Sequence, residues 1–255
     1  MTRRRTVAVA CLAAGALGVA GCGADTEPHT TPTAAPAPAP APAPSTSTVT
    51  PPPQAAPAKF HGPLAFNVRR RTQLRTSPGG RIVATITTKT EFKSPRILAV
   101  AGRRPGWVLV RTSVRKHHVG WLPLKSGHLF SQPRTVVIDL SARTLTVFHR
   151  GRRTDRYRVA IGTDATPTPR GRFAITDRLK VRPGTDYGCC ILALTAHQPK
   201  IAQGWGGGDR VAIHATPNVS AIGKKVSHGC IRATNAALHR LMRQMRLGAP
   251  VTIHA

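Results

Sequence analysis

The run Ser227-His228-Gly229-Cys230 sets a thiol two positions after an imidazole and directly after a glycine. A thiolate attacks acyl carbons well, but a free cysteine with pKa ~8.5 is mostly protonated at neutral pH. Such a thiol needs a base beside it, and the same base can return the proton to a leaving amine. Two histidines qualify: His228 inside the turn, and His214 at the end of the apolar run Val211-Ala212-Ile213. The residues alone leave both open. Gly229 permits close backbone approach, so the N–H groups of Gly229 and Cys230 can point at a developing oxyanion. Ser227 can brace the turn through its hydroxyl. No Asp or Glu lies between Val211 and Ala255, so a carboxylate to orient the imidazole would come from elsewhere. Zinc on His214, His228 and Cys230 would need a fourth ligand at a customary spacing. No metal and no cofactor is expected.

These side chains need a scaffold, and the flanking pattern predicts strands. Thr135–Leu140, Thr144–His149 and Tyr157–Ile161 read as strand segments, joined by turns at Ser141-Ala142-Arg143 and around Gly151. Leu238, Leu241, Met242 and Met245 fall at i, i+3, i+4 and i+7, one apolar face of a short helix. Thr234 is its expected N-cap and Gly248 its expected stop. The run Pro250–Ala255 closes the chain as a strand.

From about Arg134 to Ala255, the stretches VVIDLSARTLTVF, VAIGTDATPTPRGRFAI, AIHATPNVSAIGKKVSHGCIRATNAALHRLM and GAPVTIHA resemble the YkuD-type L,D-transpeptidase catalytic domain in order and spacing. The resemblance implies a β-sandwich with a short C-terminal helix and a cysteine in a cleft. It implies Cys230 as nucleophile and His214 as base, with the imidazole oriented by the backbone carbonyl of Ala215. Many members have glycine at that position, so Ala215 is a departure, tolerable unless the site needs a positive φ. His228 then supports the turn, Arg232 faces the cleft to hold a substrate carboxylate, and Tyr187 lies in the segment flanking it. The implied reaction releases D-Ala from a peptidoglycan stem tetrapeptide and passes the acyl group to another stem, giving a 3→3 cross-link. Acylation by carbapenems is implied too. An L,D-carboxypeptidase with the same site, or an inactive wall-binding lipoprotein, are the alternatives.

The rest of the chain suggests where such a domain would be held. Residues 1–21 carry three arginines and an apolar run too short to span a bilayer, which is the pattern of a secretory signal. The run Val19-Ala20-Gly21-Cys22 resembles the bacterial lipobox, which implies lipidation at Cys22 and anchoring at the outer face of the cytoplasmic membrane, in the cell wall. Residues 22–58 are a Pro/Ala/Thr-rich linker without core-forming side chains, extended at ~3.1 Å per residue. Residues 59–130 show short apolar runs broken by turn signals and resemble a small SH3-like β-barrel, with Trp107 and Trp121 expected in its core. Residues 131–255 form the catalytic domain, so the whole is all-β dominated.

Lys and Arg number 38 against nine Asp and Glu, a formal charge of +29. A basic balance of this size suggests nucleic acid in a cytoplasmic protein, but the secretory signal turns it outward. Weak binding to anionic wall polymers is expected and nucleic acid is not. Cys189, Cys190 and Cys230 are an odd number in an oxidising compartment, and a bond between adjacent cysteines lies below the usual Cα separation. Cys189 and Cys190 can serve as small buried hydrophobes or pair with Cys230, and the sequence leaves their redox state open.

Overall fold

The computed structural model describes residues 62–182, 184–200 and 208–255. The expected signal, the linker and Cys22 lie outside the described residues.

The first seven strands are β1 (Leu64–Val68), β2 (Thr72–Arg75), β3 (Ile82–Ile86), β4 (Ile97–Arg104), β5 (Trp107–Arg111), β6 (Val119–Pro123) and β7 (Gly127–Ser131). They form an antiparallel sheet in the order β3-β2-β6-β5-β4-β1-β7. Phe66, Leu74, Val108, Val110 and Leu122 are fully buried in its core. The two tryptophans are not. Strand residues alternate between faces, so inward Val108 and Leu122 leave Trp107 and Trp121 half-buried on the other side. There the Arg104 guanidinium sits 5.4 Å above the Trp121 ring.

The remaining elements are β8 (Arg134–Asp139), β9 (Thr144–His149), β10 (Arg152–Arg158), β11 (Ile161–Gly162), β12 (Gly171–Lys180), β13 (Cys190–His197), β14 (Arg210–Ala215), β15 (Lys225–Ser227), β16 (Ile231–Ala233), the helix α1 (Asn235–Gln244) and β17 (Pro250–His254). Eight of these strands make one mixed sheet, in the order β10-β9-β8-β17-β12-β13-β14-β16, while β11 and β15 pair as a separate parallel ribbon. Among the described residues the fold is all-β with one short α-helix.

Local sequence explains most of these boundaries. The β8–β9 turn closes because Asp139 Oδ1 accepts from the Ala142 N–H at 2.8 Å. The expected strand Tyr157–Ile161 divides instead. β10 stays on β9 as far as Arg158, and the backbone of Ala160 then exchanges hydrogen bonds with Arg232 at 2.8 and 2.9 Å. In α1, Thr234 Oγ1 accepts from the Ala237 N–H at 3.2 Å, the N-cap its position predicts. Leu238, Leu241 and Met245 are fully buried against the eight-stranded sheet. Each such side chain contributes about 1.5–3 kcal/mol relative to exposure.

Candidate active site

β14 and β16 are parallel neighbours, with Ile213 opposite Ile231, His214 opposite Arg232 and Ala215 opposite Ala233. Paired residues share a face, as do alternate residues along a strand. Ala212, His214, Arg232 and, just before β16, Cys230 therefore face the same way. With Ile191 and Ala193 of β13, and with Asp186 and Tyr187 of the preceding loop, they line a cavity of about 490 Å³.

His214 is buried and its Nδ1 lies 2.7 Å from the Ala215 carbonyl. A carbonyl only accepts, so Nδ1–H is the donor and Nε2 is left as the basic nitrogen. The Tyr187 ring stands 4.8 Å from the imidazole at 60°. Burial lowers the His214 pKa to about 4. The Ala215 carbonyl opposes that shift, the Arg232 charge adds to it, and Asp186 opposes it. Burial also pushes the Cys230 thiol up, against the Ala212 backbone and the Arg232 charge. Cys230 is half-buried, its sulfur unbonded to another cysteine among the described residues. At neutral pH the site therefore holds a thiol and a neutral imidazole, rather than a thiolate–imidazolium pair.

The turn before Cys230 is built around one hydroxyl. Ser227 is fully buried, donates to the Cys230 carbonyl at 2.6 Å and accepts from the Gly229 N–H at 3.1 Å. This revises the sequence expectation for Gly229, because its amide is engaged within the turn rather than aimed at the cleft. Gly229 has φ +113°, a backbone conformation that favours glycine, and a Cβ there would lie 2.8 Å from Gln198 Nε2, which would have to shift. His228 is exposed and lines the same cavity as Cys230. Arg232 lines it as well, and its buried Nε has no hydrogen-bond partner among the described residues.

Ala215 is fully buried and does not have a positive φ. Its methyl lies beneath Gly188, where an added Cβ would come within 2.6 Å of the Ala215 Cβ. The side chain missing at position 188 makes room for the one present at 215. Nothing in the local sequence signalled this contact between the 184–189 loop and β14.

Cys189 and Cys190, whose redox state the sequence leaves open, are joined by a disulfide. The bond ends the 184–189 loop, where the Cys189 N–H donates to Asn235 Oδ1 at 2.9 Å. His239 lies beside the two sulfurs, one of its ring nitrogens being within 4.8 Å of both. This group borders a second cavity, which shares Asp186 with the first. Asp186, Asn235, Gln198, Arg210 and Phe92 were not singled out by sequence, because they reach the site only through the fold.

The family model described as the YkuD L,D-transpeptidase catalytic domain matches residues 133–253. The putative L,D-transpeptidase YkuD of Bacillus licheniformis is 36% identical over 121 residues, 48% of this chain and 66% of that protein. The putative L,D-transpeptidase YkuD of Bacillus subtilis strain 168 is 34% identical over 125 residues, 49% of this chain and 68% of that protein. The match thus spans about two thirds of each relative. Among solved structures, an L,D-transpeptidase from Mycobacterium smegmatis is 19% identical with a TM-score of 0.41, over 61% of this chain and 80% of that one. L,D-transpeptidase 3 from Mycobacterium tuberculosis, solved with a faropenem-derived adduct, is 17% identical with a TM-score of 0.42, over 54% of this chain and 73% of that one. On the family match and the Bacillus relatives, this chain belongs to the YkuD L,D-transpeptidase family.

Proposed function

We propose that this protein is a peptidoglycan L,D-transpeptidase that works through a Cys230 acyl-enzyme with His214 as general base. The observation carrying the reading is the shared face of β14 and β16, which brings a thiol, a basic Nε2 and an unpaired guanidinium Nε to one cavity. In the first half-reaction the Cys230 sulfur attacks the carbonyl joining the third-position diamino acid to D-Ala. The thiol proton passes to His214 Nε2 and then to the leaving D-Ala amine, so that a thioester forms as the amide bond breaks. In the second half-reaction the side-chain amine of another stem attacks the thioester. It gives a proton to His214, and the thiol is restored as the 3→3 link forms.

With the Gly229 amide engaged by Ser227, the reading assigns the oxyanion to the Cys230 N–H. Ser227 and His228 support that turn, the Ala215 carbonyl orients the base, and Arg232 binds a substrate carboxylate. Tyr187 screens the imidazole from water. The reaction as written needs no cofactor. The same reading places the enzyme outside the cytoplasmic membrane, anchored through lipidated Cys22, with the residues at 59–130 as an SH3-like domain and the basic surface holding anionic wall polymers.

Intact-mass spectrometry of the full chain with a tetrapeptide stem, or with a carbapenem, tests the reading. We expect a covalent adduct on the parent and none on Cys230→Ala. Cross-linked dimers of defined stems, rather than hydrolysed tripeptides alone, separate transfer to an amine from transfer to water. Absence of any adduct, under reducing as well as non-reducing conditions, overturns it.

A further inference from the structure

A turn belonging to the first sheet stands at the edge of the cavity that holds Cys230. It runs from Thr90 to Ser94, between β3 and β4, and is closed by hydrogen bonds from Thr90 N–H to Ser94 O at 2.9 Å and from Lys93 N–H to Thr90 O at 3.0 Å. The Ser94 N–H also donates to Thr90 Oγ1 at 3.1 Å. Lys93 takes φ +65°, an uncommon conformation for a residue with a side chain, and one the tight turn imposes.

Two successive side chains fasten this turn to the eight-stranded sheet. The Thr90 hydroxyl donates to the fully buried carboxylate of Asp177 on β12. Glu91 pairs with Arg210 of β14, whose side chain is only 8% exposed. Arg210 is itself held, donating to the Leu194 carbonyl at 2.8 Å and to Thr176 Oγ1 at 2.7 Å. Further along the same seam Arg115 bonds Asp209 at 2.9 Å, and the Ser113 carbonyl lies 2.8 Å from His197 Nε2. The next residue in the turn, Phe92, is half-buried and lines the cavity with Cys230 and His214. Leu179, Ile191, Ala193, Val211 and Ala212 contribute to the apolar lining with it, while Arg232, His228 and Asp186 are polar.

We propose that Phe92 is a specificity-determining residue, its ring forming one wall of the acyl-donor subsite against the methylene chain of the donor's third-position diamino acid. The proposal rests on the L,D-transpeptidase reading above. An extended diamino acid carries charge at its ends and methylenes between, and the cavity likewise offers both charged and apolar side chains. A phenyl ring on a turn tip gains nothing from water, and burying it against methylenes removes apolar area from solvent. The ties of Thr90 and Glu91 fix the turn that carries the ring before substrate arrives, which lowers the ordering cost of binding.

The test compares the full-length chain with Phe92→Ala and Phe92→Leu, measuring donor kcat and KM, the rate of Cys230 alkylation by iodoacetamide, and Tm. We expect Phe92→Ala to raise the donor KM roughly tenfold with kcat within about threefold, because the ring acts equally on bound and reacting substrate. Iodoacetamide labelling and Tm should stay unchanged, and Phe92→Leu should restore most of the KM. An unchanged KM in Phe92→Ala overturns the proposal. A loss of kcat together with slowed labelling also overturns it, since the ring would then be supporting the reacting groups. If the parent is not acylated by any stem peptide, the transpeptidase reading fails by itself. Phe92 is then read with N-benzylmaleimide: slower benzylmaleimide labelling in Phe92→Ala at an unchanged iodoacetamide rate supports an apolar wall, and equal slowing or no slowing overturns it.

Discussion

The imidazole of His214 is oriented by its own neighbour, since Nδ1–H donates to the Ala215 carbonyl at 2.7 Å. A carbonyl sets the tautomer without bringing a second titrating group, and it holds the imidazolium less strongly than a carboxylate would. This agrees with the scarcity of acidic residues in the last part of the chain. His214→Gln keeps a polar side chain but removes the base. Acylation by a stem peptide should fall about 10²–10⁴-fold, as followed by intact-mass spectrometry over time, while Tm stays near the parent value.

A thiol pushed upward beside a histidine lowered to about 4 does not form a resting ion pair. Below its pKa a lone thiol gains thiolate about tenfold per pH unit. The rate of Cys230 alkylation by iodoacetamide should therefore climb steadily from pH 6 to pH 9. A plateau across that range would mean an ion pair, and with it a different first step.

Acid stability gives an independent check on His214. Its folded pKa of about 4 lies below the unfolded value of 6.5, so the unfolded chain binds the extra proton first as pH falls. The parent should lose stability between pH 6.5 and pH 4, by up to about 3 kcal/mol from this group alone. Urea melts of His214→Gln across the same range should show a shallower decline than the parent.

Gly229 sits at φ +113° with Gln198 against the place of a Cβ. Gly229→Ala should cost about 1–3 kcal/mol in stability from backbone strain. It should also lower acylation by about 10²-fold, because displacing the turn displaces the Cys230 sulfur. Thermal melts and acylation rates measured on one preparation would read both effects.

The disulfide between the adjacent Cys189 and Cys190 stiffens the end of the loop that carries Tyr187 to within 4.8 Å of His214. Replacing both cysteines by serine should slow acylation about tenfold, close to 1.4 kcal/mol in the barrier. Cys230 should remain open to iodoacetamide in that variant. A stem-peptide acylation assay beside the alkylation rate distinguishes a loosened wall from a lost nucleophile.

Sequence alone sufficed where the determining forces are local. The Thr144–His149 strand, the Thr234 cap and the apolar face of α1 all follow from spacing and capping chemistry. The turn around Cys230 could be singled out because a glycine, a histidine and a serine so close to a thiol make poor sense as packing. Tertiary structure decided what depends on neighbours distant in the chain. The strand expected over Tyr157–Ile161 breaks because Ala160 finds better backbone partners at Arg232 than on β9. Trp107 and Trp121 lie outside the core because sheet alternation had already committed Val108 and Leu122 inward. The methyl of Ala215 is accommodated by Gly188, 27 positions earlier, and Phe92 reaches the cavity by way of a different sheet. No periodicity within a single segment encodes such pairings. They arise only when β12, β13, β14 and β16 align and the Thr90–Ser94 turn docks against them.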